Sequence, residues 1–182
     1  MACDLTRGRK EPCKDVVGGL RAVYFTDFGD FGTVTQTADA ISNMTGTFTA
    51  FKYDLKGNST FEQTVTASRE NGTVFFEQTL NLTLKKLTKE DNSELKLLAY
   101  GRPHIAVEDY NGNVMIMGLE HGADVSGGTI VTGGAMGDLS GYTLVFTAQE
   151  ILPANFVTGA TAASPYAGMS SATDTITVGT NS

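Results

Sequence analysis

Residues 60–84 read TFEQTVTASRENGTVFFEQTLNLTL, and this stretch decides the fold class. In its second half Val74, Phe76, Gln78, Leu80, Leu82 and Leu84 share one register, and Thr73, Phe75, Glu77, Thr79, Asn81 and Thr83 share the other. A period of two held over about ten residues marks a strand with one apolar and one polar face. The first half repeats the pattern, with Phe61, Val65 and Ala67 set against Thr60, Glu62, Thr64 and Thr66. Between the halves, Ser68 to Gly72 ends in Asn71-Gly72, a pair that tolerates positive φ and closes a hairpin. Upstream, Phe48 to Leu55 runs into the turn signal Lys56-Gly57-Asn58-Ser59, so residues 46–84 read as a three-strand meander.

Working outward, Ala22 to Phe28 reads as an earlier strand carrying Val23, Phe25 and Phe28. One helix is expected over Lys89 to Tyr100. Thr88 is placed to cap it, Glu90 and Asp91 suit its positive end, and Gly101 then Pro103 stop it. Leu95, Leu98 and Ala99 would form its buried stripe. Ile105 to Glu108, the Asn111-Gly112 turn and Val114 to Leu119 predict a second hairpin, whose last strand is apolar on both faces and so central. Seven glycines fall between Gly122 and Gly141, around a short strand at Thr129 to Thr132. Tyr142 to Ala148 closes the series with Tyr142, Leu144, Phe146 and Ala148 on one face. The fold class is therefore mainly β, a sandwich or barrel of antiparallel strands with one principal α-helix. Residues 1–20 form an N-terminal arm and residues 21–156 the β domain. Residues 157–182, short of large apolar groups, read as a flexible or partner-docked C-terminal tail.

The formal charge is −7, from 13 basic and 20 acidic side chains, which argues against general affinity for nucleic acid. Six of those net charges lie after residue 100, where Arg102 alone faces seven acids. The first twenty residues carry charges throughout and lack the apolar run of a signal peptide, and no stretch of about eighteen apolar residues occurs, so neither that secretory route nor a membrane segment is expected. Cys3 and Cys13 have no second Cys or His pair beside them and read as free thiols.

The chemical inventory is sparse. His104 and His121 sit at strand ends near Glu108, Asp109, Glu120 and Asp124, with no H-E-x-x-H pattern and no third convergent ligand, so no metal is expected. GGTIVTGGAMGD lacks the Lys-Ser/Thr of a phosphate loop and leads into no helix, and no Ser sits in G-x-S-x-G. Neither a catalytic site nor a cofactor is expected. The basic cluster Arg7, Arg9, Lys10 and Lys14 is interleaved with Asp4, Glu11 and Asp15, which suits a subunit contact as well as a solvated tail.

The order of parts resembles a family. A first strand (RAVYFTDF), a long meander (FTAFKYDLKGNSTFEQTVTASRENGTVFFEQTLNLTL), a capped helix (LTKEDNSELKLLAYG), a hairpin and a Gly-rich segment ending in GDLSGYTLVFTAQEILPANF look like the tail tube proteins of tailed bacteriophages, related in fold to ring-forming tube proteins of contractile secretion systems. The resemblance covers residues 20–156. It implies a virion tail protein, made in the host cytoplasm, whose partners are itself and other tail proteins. Its copies would join sheet edges into stacked hexameric rings around a channel through which genomic DNA passes without specific binding. Under it, Arg7, Arg9, Lys10 and Arg69, Glu70, Asn71 and Gly72 are expected at subunit contacts, and some of Glu108, Asp109, Glu120, Asp124 and Asp138 in the channel. Two other readings stand beside it: another tail or head component, such as a terminator or decoration protein, and a small-ligand-binding β-barrel with the Gly-rich loops as its rim.

Overall fold

The structure, a computed structural model, describes residues 7–11 and 13–179. It is mainly β, with 49% of the chain in strands and 7% helical. The elements run β1 (Leu20–Thr26), β2 (Val34–Thr37), β3 (Ala40–Met44), β4 (Gly46–Asp54), β5 (Thr60–Ser68), β6 (Thr73–Lys85), α1 (Lys89–Tyr100), β7 (His104–Asp109), β8 (Val114–Met117), β9 (Asp124–Val131), β10 (Gly141–Glu150), β11 (Phe156–Val157) and β12 (Ala172–Val178). Eight strands form a mixed sheet in the order β12-β4-β1-β7-β8-β11-β3-β2, curled into a half-barrel. The other four form an antiparallel sheet in the order β5-β6-β10-β9.

Strands β1 and β7 are apolar on both faces because both faces of the large sheet are covered. On one side Val23, Phe25, Ile105 and Val107 meet Leu80, Leu82, Tyr142 and Phe146 of the small sheet. On the other, Ala22, Tyr24 and Ala106 point into the hollow of the curl, against Ile41, Met44, Phe48 and Ile116. The alternation of β6 follows directly: Gln78, Leu80 and Leu82 are buried while Glu77, Thr79, Asn81 and Thr83 stay partly exposed.

Two sequence expectations are corrected here. Residues 46–84 are not one meander: β4 pairs with β1 and β12, and only β5 and β6 form a hairpin. Gly57 (φ +73°) and Asn58 (φ +55°) turn the chain from one sheet into the other instead of folding β5 back along β4. Residues 157–178 are not a tail. β12 pairs in parallel with β4 from Ala172 opposite Gly46 to Val178 opposite Lys52, and buried Tyr166 and Met169 fill the hollow of the half-barrel. The Tyr166 ring meets Phe48 edge-on at 4.9 Å and Phe31 at 5.8 Å. Parallel pairing leaves no hairpin turn to read, and a few large residues without a period carry no strand signal.

In the N-terminal arm residues 7–11 and 13–17 are exposed, and Asn111 grips the Val17 backbone on both sides, accepting from its N–H at 2.9 Å and donating to its carbonyl at 2.7 Å. Helix α1 starts as expected, with Thr88 Oγ1 accepting the Asp91 N–H at 3.0 Å. Its buried side is narrower than the expected stripe: Leu95 is buried and Leu98 half-buried, but Ala99 is exposed.

Replacing Tyr166 by Ala should cost about 3–5 kcal/mol in chemical denaturation, and Leu95→Ala about 2–4 kcal/mol, whereas Leu97→Ala should stay within about 0.5 kcal/mol. Removing residues 160–182 should abolish the cooperative transition; a truncated chain of full stability would show that β12 and Tyr166 are not part of the core.

Candidate functional site

Among the described residues, no second layer covers the outer face of the small sheet. Alternation places Glu62 and Thr64 of β5, Glu77 and Thr79 of β6, Thr143 and Thr147 of β10, and Thr129 and Asp124 of β9 on that face. Register makes them neighbours: Thr79 stands between Glu62 and Thr147, Glu77 between Thr64 and Gln149, and Asp124 is opposite Thr147. The same register adds Asn81, Gln149 and three half-buried apolar residues, Phe75, Val131 and Val145, so the surface is mainly short hydroxyls with three carboxylates, and Lys85 stands at the far end of β6 as a base. Hydroxyls satisfy water without offering a polyanion any fixed counter-charge, and the carboxylates repel it.

Both edges of this sheet are open. Among the described residues, β5 pairs only with β6 and β9 only with β10, with α1 lying close beside β9. Four antiparallel strands leave β5 and β9 running in opposite directions, so β5 of one copy laid beside β9 of another would continue the same antiparallel pattern. The β5–β6 hairpin also outruns its sheet: pairing of β6 with β10 ends at Phe76 opposite Glu150, whereas pairing with β5 continues to Thr73 opposite Ser68. Arg69, Glu70, Asn71 and Gly72 form the exposed tip, with Ser68 Oγ accepting the Asn71 N–H at 3.2 Å and Gly72 at φ +63°.

The five acids expected in a channel do not lie together. Glu108 is buried, taking a hydrogen bond from the Tyr24 hydroxyl at 3.0 Å and an ion pair from Arg21 at 3.4 Å, so it is a fold element of the protomer and not a surface charge. Asp109 locks the β7–β8 turn by accepting from both the backbone and side-chain nitrogens of Asn111 and Asn113. Burial alone would raise its pKa; those four bonds outweigh it and hold the carboxyl below the usual range. Asp138 organises the Gly-rich loop, accepting the Gly134 and Ala135 N–H groups at 2.9 and 2.7 Å. Asp124 alone of the five is on the hydroxyl-rich face. Glu62 and Glu77, on that face, are the acids that the sequence reading passed over; their alternation with Thr was the available signal. Arg7, Arg9 and Lys10 are exposed in the arm, and Cys3 lies outside the described residues.

Glu120 belongs to a different cluster, built on buried Glu150 at the end of β10. One Glu150 oxygen accepts the N–H groups of Glu120 and His121 at 3.0 and 2.9 Å, and the other accepts Nδ1 of His121 at 2.9 Å. The turn is tight because Gly118 (φ +66°) passes Gly122 so closely that a Cβ there would lie 2.5 Å from its carbonyl carbon. On its inner side the Gly118 N–H donates to Gln78 at 3.0 Å, and Nδ1 of His104 sits 2.6 Å from the Gly118 carbonyl. Nε2 of His104 accepts from Gly29, so Nδ1 is the protonated nitrogen of a neutral ring, consistent with the downward pKa shift that burial imposes. Ligand atoms of Glu120, His121 and Glu150 lie within 4.8 Å of one another, but the Glu150 oxygens are already occupied by N–H donors, so the cluster is described by hydrogen bonding.

Comparison with models of protein families, with curated proteins and with solved structures returns no match. Among the described residues, no helix is long and apolar enough to cross a membrane.

The hydrogen bond to Glu150, with its charge, raises the His121 pKa above 6.5. Such a group contributes stability that is fully present below its unfolded pKa and fades as pH rises through the folded one. An NMR titration of His121 should therefore have its midpoint above 6.5, with amide exchange at residues 118–123 quickening as that midpoint is crossed upward. Glu150→Gln should return the midpoint to the ordinary range; an unshifted midpoint in the unmodified chain would show that the contact does not persist in solution.

Proposed function

We propose that this chain is a non-enzymatic structural subunit of a bacteriophage tail, which joins the edges of its small sheet with those of its neighbours into rings and stacks the rings into a tube for DNA. The observation that carries the reading is a four-stranded sheet with two free, opposed edges and an uncovered face of hydroxyls and carboxylates. Long free edges are a hazard that folded proteins block or cover, and closing a ring removes them. The face left inside the ring is then wet, unsticky and repulsive to phosphate, which are the properties a conduit for DNA requires.

Strand geometry sets a lower bound on the ring size and is compatible with six copies. Six copies of a four-stranded sheet, at about 4.8 Å between strands and a tilt near 40°, close into a barrel about 48 Å across, leaving roughly 35 Å clear of side chains. Three copies closed the same way leave only about 12 Å, too narrow for a duplex. Six-fold repetition also multiplies Glu62, Glu77 and Asp124 into bands of like charge, whose reach into the channel is about 8 Å at physiological salt. Within the same class, a terminator or decoration protein would form capped rings or trimers instead of tubes. The alternative of a small-ligand-binding β protein gains one observation, an apolar cleft beside α1, and requires a chain that stays monomeric.

Size-exclusion chromatography with negative-stain imaging of the full chain should find rings or tubes, and a monomer at all accessible concentrations would overturn the proposal. In the assembled protein, Glu62→Lys with Glu77→Lys should leave the particles intact but make them retain duplex DNA at about 50 mM salt and release it by about 200 mM, as counterion release demands. Intact particles that still ignore DNA at low salt would place this face outside the channel.

A further inference from the structure

We propose that the projecting β5–β6 hairpin of one copy seats in the cleft beside α1 of a second copy. The inference deepens the proposed function by naming a contact between copies, and it rests on that reading only in taking the partner to be another copy of this chain. It begins from two apolar features that a lone subunit leaves without cover. At the end of β10 and beyond it the hairpin keeps the face that further along is core: Val65 opposite Phe76 at the last pair, and Ala67 opposite Val74 past it. Val65 is 59% and Val74 54% exposed, on a two-stranded projection. The second feature is a cavity of about 290 Å³ between the C-terminal half of α1 and strands β1 and β4, walled by Phe28, Phe51, Tyr53, Leu97 and Leu98. That volume corresponds to about ten waters at liquid density, resting on walls that give most of them no hydrogen bond.

The charges of the two features are complementary. The cleft carries Asp27, Glu94 and Arg102, the last with its guanidinium 4.5 Å from the Phe28 ring, and the hairpin tip carries Arg69 and Glu70. Seating the tip brings Arg69 toward two carboxylates and Glu70 toward a guanidinium, a pairing that selects one orientation. The contact is between copies, because the hairpin continues two hydrogen-bonded strands and cannot bend back upon its own helix, which starts from the other end of β6. A knob on one surface and a hole on another make a head-to-tail contact that leaves a free knob and a free hole at the ends of any chain of copies, so it propagates, as a stacked assembly needs.

Full-length chains bearing Cys3→Ser and Cys13→Ser are made with either Ala67→Cys in the hairpin or Leu97→Cys in the cleft, mixed, and mildly oxidised. The mixture should give a disulfide-linked dimer that neither chain gives alone. Arg69→Glu in the hairpin chain should lower its yield roughly tenfold, and Glu94→Arg in the cleft chain should restore it. If the unmodified chain forms rings or tubes but the mixture does not cross-link, the contact is refuted and the tube reading stands. If the pair cross-links with rescue but no ring or tube forms, the contact stands and the tube reading falls. In a parallel mixture, a Leu97→Cys chain that links instead to a chain carrying Cys3→Ser alone, through its native Cys13, would show the N-terminal arm to be the occupant and overturn the proposal, and a chain that neither cross-links nor assembles overturns both.

Discussion

The large sheet is apolar on both faces, and every other part of the molecule answers to that condition. Val23 and Phe25 need a cover on one side of β1, Ala22 and Tyr24 on the other. The small sheet and α1 supply the first cover. The second is the sheet's own curl, closed by a segment that arrives last in the chain with Tyr166 and Met169. Burial on both faces also explains why polar groups within the large sheet are held so closely: Glu108 by Tyr24 and Arg21, and His104 between the Phe28 and Phe31 rings with both nitrogens bonded. A buried polar group that lost such partners would cost more than the bond it makes in the folded state is worth.

Sequence reading reached as far as local periodicity extends. The alternation of β6 and β10, the Asn71-Gly72 and Asn111-Gly112 turns and the Thr88 cap are short-range signals, and each reports on neighbours within a few residues. The mainly β class followed from them. Pairing between distant strands was beyond that reach. Lys56 to Ser59 looks like a hairpin turn, yet only the demand of β1 for a second neighbour decides that β4 leaves the hairpin sheet. The segment after residue 157 was misread for a related reason: its stability comes from the hollow it fills, not from its own composition, and low apolar content argues for a tail only when no such hollow awaits it.

Charge was legible in sum and illegible in place. The excess of acids after residue 100 is real, but Glu108, Asp109, Glu150 and Asp138 are spent on holding backbone and side-chain groups of the protomer. A carboxylate that accepts several N–H bonds is a fold element whose field is largely answered locally. The charges left for an outside role come mainly from the earlier half, in Glu62 and Glu77, where the count by halves is nearly balanced. Strand alternation, not net charge, was the guide to them, because a period of two says which acids share a face.

Covering one face of the small sheet leaves the other with a choice of chemistry, and the chain chose Thr. Thr suits a pleated surface through its branched Cβ, so it keeps strand propensity while presenting a hydroxyl outward. An apolar outer face would have invited a third layer, and a basic one would have captured nucleic acid. A face dominated by hydroxyls and sparse carboxylates, with Phe75, Val131 and Val145 only half-buried among them, does neither. The edges β5 and β9 are guarded more lightly: among the described residues they carry no Pro and no Lys, and only a bulge in β9 and the charges of Glu62 and Asp124 stand against edge pairing. The contrast between a face with little to adhere to and edges with so few guards is what supports the proposed joining of copies at the edges.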